Sequence, residues 1–238
     1  MAQTVMDNQV LEFIKGYDTP TIVNAIEVAL GTRDFKNYTK KPLVVTESTA
    51  GAIVGWAQTA RIRAKEPPKE SQKQLIQRRT DYYHYLNSSK KPSLLVMEDL
   101  DYPDTYGAWW GEVNSTIHKG FGLAGVLTNG QVRDLDELVQ GFPILAGSVG
   151  VSHAFVHLVD IGKPVDIFGL KVVEEDLIHA DKHGATVIPK EIIDRIPESI
   201  EKLIRGEAFV INAARRKGGI DINQLNESWE KFSREIRK

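Results

Sequence analysis

Apolar positions recur at helical spacing at the start of the chain and at strand spacing through its middle. Val10, Leu11, Phe13 and Ile14 lie close to one helical face, and Ile22, Val23, Ile26, Val28 and Leu30 fill a second stripe that Gly31 ends. Thr19-Pro20 restarts the chain between them, as an N-cap followed by proline at the first helical position does. The period then shortens. Leu43-Val44-Val45 and Gly55-Trp56-Ala57-Gln58-Thr59-Ala60 read as strands or strand edges around a glycine-rich turn. Pro67-Pro68 breaks the pattern, and Glu70 to Leu86 reads as a polar helix with a Leu75, Arg79, Tyr82/Tyr83, Leu86 stripe.

Ser93 to Glu98 and Leu123 to Leu127 are continuous apolar runs of buried-strand length. Thr116 to Lys119 reads as helix between them, and Asp134 to Val139 as a short helix after a turn. Phe155 to Val159, Val165 to Phe168 and Ala185 to Ile188 are three further strand candidates, and the tail from Glu191 is charged and helical. Strands and helices alternate in the middle, while the later strands follow one another closely. That order predicts an α/β fold with a mixed sheet and helical covering. There is no internal repeat, low-complexity tract or dividing linker.

Charge changes this picture little. Thirty basic residues against thirty-two acidic ones give a formal net charge of −2, so nothing drives the whole molecule toward nucleic acid or anionic lipid. The absence of cysteine excludes disulfides, thiolate catalysis and cysteine-bound zinc or iron–sulfur clusters. Met1 to Lys15 does not read as a signal peptide. No apolar stretch approaches the roughly 20 residues of a membrane span, and the expected compartment is the cytoplasm.

The candidate chemistry lies between Trp109-Trp110-Gly111-Glu112 and Gly130-Gln131-Val132-Arg133-Asp134. An arginine fork suits bidentate recognition of a carboxylate, and a neighbouring aspartate suits a hard, oxygen-loving cation. Side by side they can receive a 2-oxo acid. The plainer reading makes Arg133-Asp134 a surface pair at a helix start, with Asp134 as N-cap.

Twenty residues separate Glu112 from Arg133, and the constellation resembles the Asp-x20-Arg-Asp signature of the RraA-like family. That family includes class II 4-hydroxy-4-methyl-2-oxoglutarate aldolases and regulators of ribonuclease E activity. Thr19-Pro20-Thr21-Ile22-Val23-Asn24-Ala25 is similar to the family's opening helix, and Gly55 to Ala60 to its Gly-x-Ala-x-Thr strand. Gly122 to Gly130 resembles its Gly-x-x-Gly-x-Val-x-Asp-Gly segment. Asp176 to Asp181, Gly184 and Ile188-Pro189 resemble its closing strand pair.

The resemblance implies a swivelling β/β/α-type fold over residues 1–190, with an insertion at about 64–91 and a helical extension over 191–238. It implies a homotrimer or hexamer. It also assigns roles. Gly111, Glu112, Val113 and Asn114 would form the loop that contacts the oxo acid, partly through backbone N–H groups. Arg133 would grip its carboxylate, Asp134 would ligate Mg²⁺ or Mn²⁺, and Glu112 would hold metal-bound water and help move protons. The implied reaction is cleavage of a 4-hydroxy-2-oxo acid to pyruvate, with oxaloacetate decarboxylation through the same enolate. The non-catalytic alternative within the family is a regulator that binds a ribonuclease or another protein.

Three departures from the pattern stand out. Glu112 replaces the motif aspartate, Asn129 stands where aspartate is frequent, and Glu174-Glu175-Asp176 replaces Pro-Gly-Asp. Three weaker signals have plain readings beside them. His153 and His157 have metal-pair spacing but lack the accompanying glutamate. Lys119 has nothing locally that marks a Schiff-base lysine. The insertion interleaves Lys65, Lys69, Lys73, Arg78, Arg79, Lys90 and Lys91 with Tyr82, Tyr83 and Tyr85. Such mixing can bind RNA, but it also describes a solvated helix with its aromatic stripe turned inward.

Overall fold

An eleven-residue strand, β2 (Ile53–Arg63), organises the sheet, and every residue from Ile53 to Ala60 is buried. One edge of β2 pairs in parallel with β3 (Ser93–Asp99). The other edge is shared by two antiparallel partners, β12 (Leu177–Asp181) along Ile53 to Trp56 and β9 (His157–Ile161) along Ala60 to Arg63. A bulge between Arg61 and Ile62 interrupts the second pairing. The computed structural model describes residues 9–47, 51–216 and 218–237. The N-terminal reading over residues 1–8, and residues 48–50 of the turn before β2, lie outside them.

The sheet has eight strands in the order β1 (Val44–Val45), β7 (Ile144–Ala146), β5 (Leu123–Thr128), β3, β2, β12 and β13 (Gly184–Ile188), with β9 beside β2. Strands β2, β3, β5 and β7 run parallel; β1, β9, β12 and β13 run antiparallel to their neighbours. The sheet is mixed, as the order of patterns predicts. Its central strands are continuous apolar runs because both faces are covered. Leu94 and Val96 face one cluster with Leu127, Leu145 and the hairpin of β10 (Val165–Ile167) and β11 (Leu170–Val172). Leu95 and Met97 face the other, with Tyr82, Leu86, Trp110, Phe142 and Ile144.

Helix α3 (Gln72–Asn87) begins in a capping box between Ser71 and Gln74. Tyr82 and Leu86 are buried in the second cluster, and Tyr83 and Tyr85 are half-buried against it. The aromatic stripe of the insertion therefore faces the core. The Tyr85 hydroxyl accepts the Thr59 N–H at 2.9 Å. Helix α4 (Glu112–Gly120) lies between β4 (Ala108–Trp110) and β5. A second small sheet joins β4, β6 (Gln131–Val132) and β8 (Ser148–Val149), all parallel.

The described residues up to Lys36, with those from Pro189 onward, form a separate helical unit; Asn37–Ile188 form the sheet unit. In the helical unit, α1 (residues 9–14), α2 (Thr19–Leu30), α5 (Ile196–Ala214) and α6 (Ile222–Glu235) bury Leu11, Ile14, Ile22, Ile26, Ile200 and Leu203. The cap of α2 is Asp18, whose carboxylate accepts the Thr21 N–H at 2.9 Å. The Thr19-Pro20 pattern points to a cap at Thr19, one residue later than the one observed. Gly31 closes the helix at φ 69°, as expected.

Candidate active site

Parallel pairing of β4 with β6 brings Arg133-Asp134 to Gly111. Ala108 is paired with Gln131 and Trp110 with Val132, and the Arg133 N–H donates to the Trp110 carbonyl at 2.9 Å. Residues far apart in sequence thus leave adjacent strands side by side. Asp134 does not begin a helix. Its φ is 54°, a left-handed conformation that aspartate tolerates better than most side chains, and residues 135–137 form a turn. The short helix read over Asp134 to Val139 is therefore corrected to a turn. Its six positions carry Asp, Glu and branched apolar side chains without enough neighbours to nucleate a stable turn of helix.

Asp134 does serve as a cap, but for another element. Gly111 is the N-cap of α4 and has no side chain to offer, so the Glu112 N–H donates to Asp134 Oδ2 at 3.3 Å. A Cβ at Gly111 would lie 2.4 Å from that oxygen, so any larger residue would push the carboxylate from its place. The other oxygen, Oδ1, accepts from Arg133 at 3.1 Å. Arg133 and Asp134 are each about one-third exposed, at 34% and 30% of their side chains. Arg133 Nε is buried and has no partner.

Gly111, Glu112, Val113 and Asn114 are the cap and first turn of α4 rather than the loop expected from the resemblance. The difference matters physically. The first N–H groups of a helix have no intrahelical acceptor and point outward with the positive end of the helix dipole, a setting that favours an anion. Glu112 and Val113 are exposed. The Asn114 side chain donates to the Trp109 carbonyl at 2.6 Å, so it braces the turn. Ser115 Oγ donates to the Glu112 carbonyl at 2.9 Å and accepts the Val139 N–H at 3.3 Å.

Asp134 is the carboxylate at this place that could offer oxygen lone pairs to a divalent cation. Each Asp134 oxygen accepts one hydrogen bond, which leaves lone pairs on both. Among the described residues no group of three or more His, Asp or Glu could hold a metal ion, so a cation here would rest on Asp134 and water. One carboxylate with water completing the shell suits Mg²⁺ or Mn²⁺ better than zinc.

The other singled-out residues are placed elsewhere. His157 begins β9, while His153 precedes it outside any strand, and their Nδ1 atoms lie 2.7 Å from the Phe155 and Ala154 carbonyls. Lys119 is exposed and donates to the Gln140 carbonyl. A groove of about 620 Å³ in the helical unit, lined by Val28, Leu203, Trp229 and Phe232 among others, contains none of the predicted site residues.

The structure gives two polar side chains partners that the sequence did not assign, Asn129 and His118. Asn129 is buried and pairs with the end of β3: its Oδ1 accepts the Asp99 N–H at 2.7 Å and its Nδ2 donates to the Asp99 carbonyl at 3.2 Å. An aspartate could not make the second bond, which explains the amide here. Asn114 and His118 stand four apart, and His118 is fully buried, with burial pushing its imidazole down to about 4. The i,i+4 spacing was the available signal.

The sequence profile of the RraA-like (aldolase/RraA) family matches residues 19–187. The chain belongs to the RraA-like family. Solved structures of the same fold agree, each at 18% identity. An uncharacterized protein from Pseudomonas syringae pv. tomato str. DC3000 superposes with a TM-score of 0.70, over 93% of this chain and 94% of that one. A structure described as that of novel cellulases from gut-associated microbes gives 0.69, over 84% and 86%. RraAS2 of Streptomyces coelicolor, described as an unusual member of the RNase ES inhibitor RraA family, gives 0.63, over 87% and 96%. No curated protein matches. The RraA-like family holds both aldolases and ribonuclease inhibitors, so membership establishes the fold and leaves the chemistry to the site.

Proposed function

We propose that the chain is a divalent-metal-dependent lyase that cleaves a 4-hydroxy-2-oxo acid to pyruvate and decarboxylates oxaloacetate at the same site. The observation that carries this reading is the meeting of Arg133 and Asp134 with the first turn of α4, whose N-cap Gly111 has no side chain of its own to offer. The unpartnered Nε of Arg133 agrees with it, because a buried donor is costly to leave unpaired.

In this reading Arg133 binds the substrate carboxylate through its fork, and the N–H groups of Val113 and Asn114 orient the oxo acid. A Mg²⁺ or Mn²⁺ held by Asp134 would stabilise negative charge at the keto oxygen. The Glu112 carboxylate takes the C4 hydroxyl proton through a water molecule. The C3–C4 bond then breaks, its electron pair goes to the pyruvate enolate, and protonation at C3 completes pyruvate. With oxaloacetate, loss of carbon dioxide leaves the same enolate. Glutamate reaches one methylene further than the family's aspartate, which accommodates an intervening water. A homotrimer or hexamer belongs to the same proposal and is read by light scattering; exposed Val113, Leu135, Val149 and Val151 agree with burial against another copy.

The test is pyruvate release from 4-hydroxy-4-methyl-2-oxoglutarate and from oxaloacetate with Mg²⁺, with Mn²⁺ and with EDTA. Metal-dependent release that Asp134→Ala abolishes supports the lyase. No release from either substrate, or full activity in Asp134→Ala, overturns it and leaves the protein-binding role found in the same family.

A further inference from the structure

A buried line of hydrogen bonds ties α4 to α3. The Tyr82 hydroxyl lies 2.6 Å from His118 Nε2, and His118 Nδ1 lies 2.6 Å from the Asn114 carbonyl oxygen. A carbonyl can only accept, so Nδ1 carries the proton. Nε2 is then the acceptor, and the Tyr82 O–H must donate to it. The direction of both bonds is fixed. Trp110 packs its ring against His118 at 4.7 Å between centroids, and Tyr82 lies at 5.6 Å.

A tyrosine and a histidine are an expensive choice for this place. Both are fully buried, beside Leu95, Met97, Trp110 and Phe142. A phenylalanine and a leucine would fill similar volume with no polar atom to satisfy. What the polar pair adds is direction, because it holds the carbonyl of Asn114 at a set place relative to α3. Asn114 is the third residue of the turn that meets Asp134, and its side chain and that of Ser115 restrain the same turn.

We propose that Tyr82 and His118 are positioning residues that hold the first turn of α4 in register with Arg133 and Asp134. The helix of the insertion is thus a brace behind the site and not a cover over it. This rests on the reading of that site as the oxo-acid centre. The brace itself stands on the hydrogen bonds alone, so the two can be tested apart.

Hydrogen exchange followed by mass spectrometry on Tyr82→Phe tests the brace directly. Leu86→Val serves as the packing control, since Leu86 is buried in the same cluster on the same helix but contributes no polar atom to the relay. Exchange over residues 111–118 is expected to rise about tenfold in Tyr82→Phe, the effect of one lost buried hydrogen bond, and not in Leu86→Val. Unchanged exchange, or an equal rise in both variants, overturns the brace.

Oxalate, which resembles the pyruvate enolate, tests its bearing on the site by calorimetry in Mg²⁺ buffer. Tyr82→Phe is expected to bind oxalate about tenfold more weakly than wild type, with Leu86→Val unchanged. The double variant Tyr82→Phe/His118→Leu, which leaves no orphaned polar atom, should stay weak. Recovery of affinity in the double variant, or wild-type affinity in Tyr82→Phe, overturns the positioning role even where Arg133→Ala shows the site to be real. If wild type does not bind oxalate, the site reading fails, and with it the positioning role; the exchange result then decides the brace alone.

Discussion

Gly111 and Asp134 approach so closely that a single methyl group at residue 111 would displace the Asp134 carboxylate from the start of α4. The carboxylate of Asp134 occupies the place a Cβ of residue 111 would take, 2.4 Å from its Oδ2. Gly111 has an extended backbone, φ −164° and ψ −168°, so the requirement is for space and not for conformational freedom. Gly111→Ala is expected to fold, to lose about 1–3 kcal/mol through overpacking, and to lose its bond from the Glu112 N–H to Asp134. Urea unfolding and oxalate calorimetry read the two effects. Wild-type values for both would contradict the close approach.

Arg133→Lys keeps the charge and removes the fork. If Arg133 binds the carboxylate, KM for the oxo acid should rise about 10–100-fold, the worth of one charge-assisted hydrogen bond, while kcat changes less. Steady-state kinetics of pyruvate release separate the two. A lysine variant with unchanged KM would remove Arg133 from substrate binding.

Asp99 is 1% exposed, its Oδ1 accepts the Asp101 N–H at 2.9 Å, and its Oδ2 has no partner. Burial pushes its carboxyl up from 3.8 to about 6. A folded-state value above the unfolded one means the folded chain binds more protons between pH 4 and 6. The contribution is therefore present below about pH 4 and lost as pH rises through 6. Asp99→Asn should gain stability on the order of 2 kcal/mol at pH 8 and none at pH 4. Urea unfolding of both proteins across this range checks the sign.

His118 acts in the opposite direction. Burial lowers it from 6.5 to about 4, so the folded chain binds fewer protons in that window. Its contribution is complete above pH 6.5 and is lost as pH falls toward 4. His118→Gln carries no titrating ring, and its stability relative to wild type should improve on acidification from pH 7 to 4.5. A pH-independent difference would mean that His118 titrates alike in the folded and the unfolded chain.

Glu175 has φ 63°, in the left-handed region, where the family's Pro-Gly-Asp turn has glycine. Its N–H donates to the Ala57 carbonyl at 2.9 Å, which keeps the turn on the sheet. Glu175→Gly should raise stability by about 1 kcal/mol, after the greater entropy of glycine in the unfolded chain is offset. A thermal melt decides it. A lower melting temperature would show that the glutamate side chain supplies more than the strain costs.

The amino-acid sequence by itself determined the long central strands, the main helices and which residues to consider for the candidate site, but not the short strands β4, β6, β7 and β8. Continuous apolar runs such as Ser93 to Glu98 state strand and burial together, because a strand covered on both faces has no polar side to display. The spacing of Glu112, Arg133 and Asp134 carried the family resemblance without any coordinates. Boundaries and partners were not legible in the same way. The cap at Asp18, the turn at Asp134 and the first turn of α4 depend on which N–H finds which oxygen, and those partners come from distant elements. Only the tertiary structure placed the Asp134 carboxylate on the N-terminus of α4, because the pairing of β4 with β6 is what joins them. Only it matched Tyr82 with His118, since a hydrogen bond between side chains 36 residues apart leaves no periodic trace along the chain.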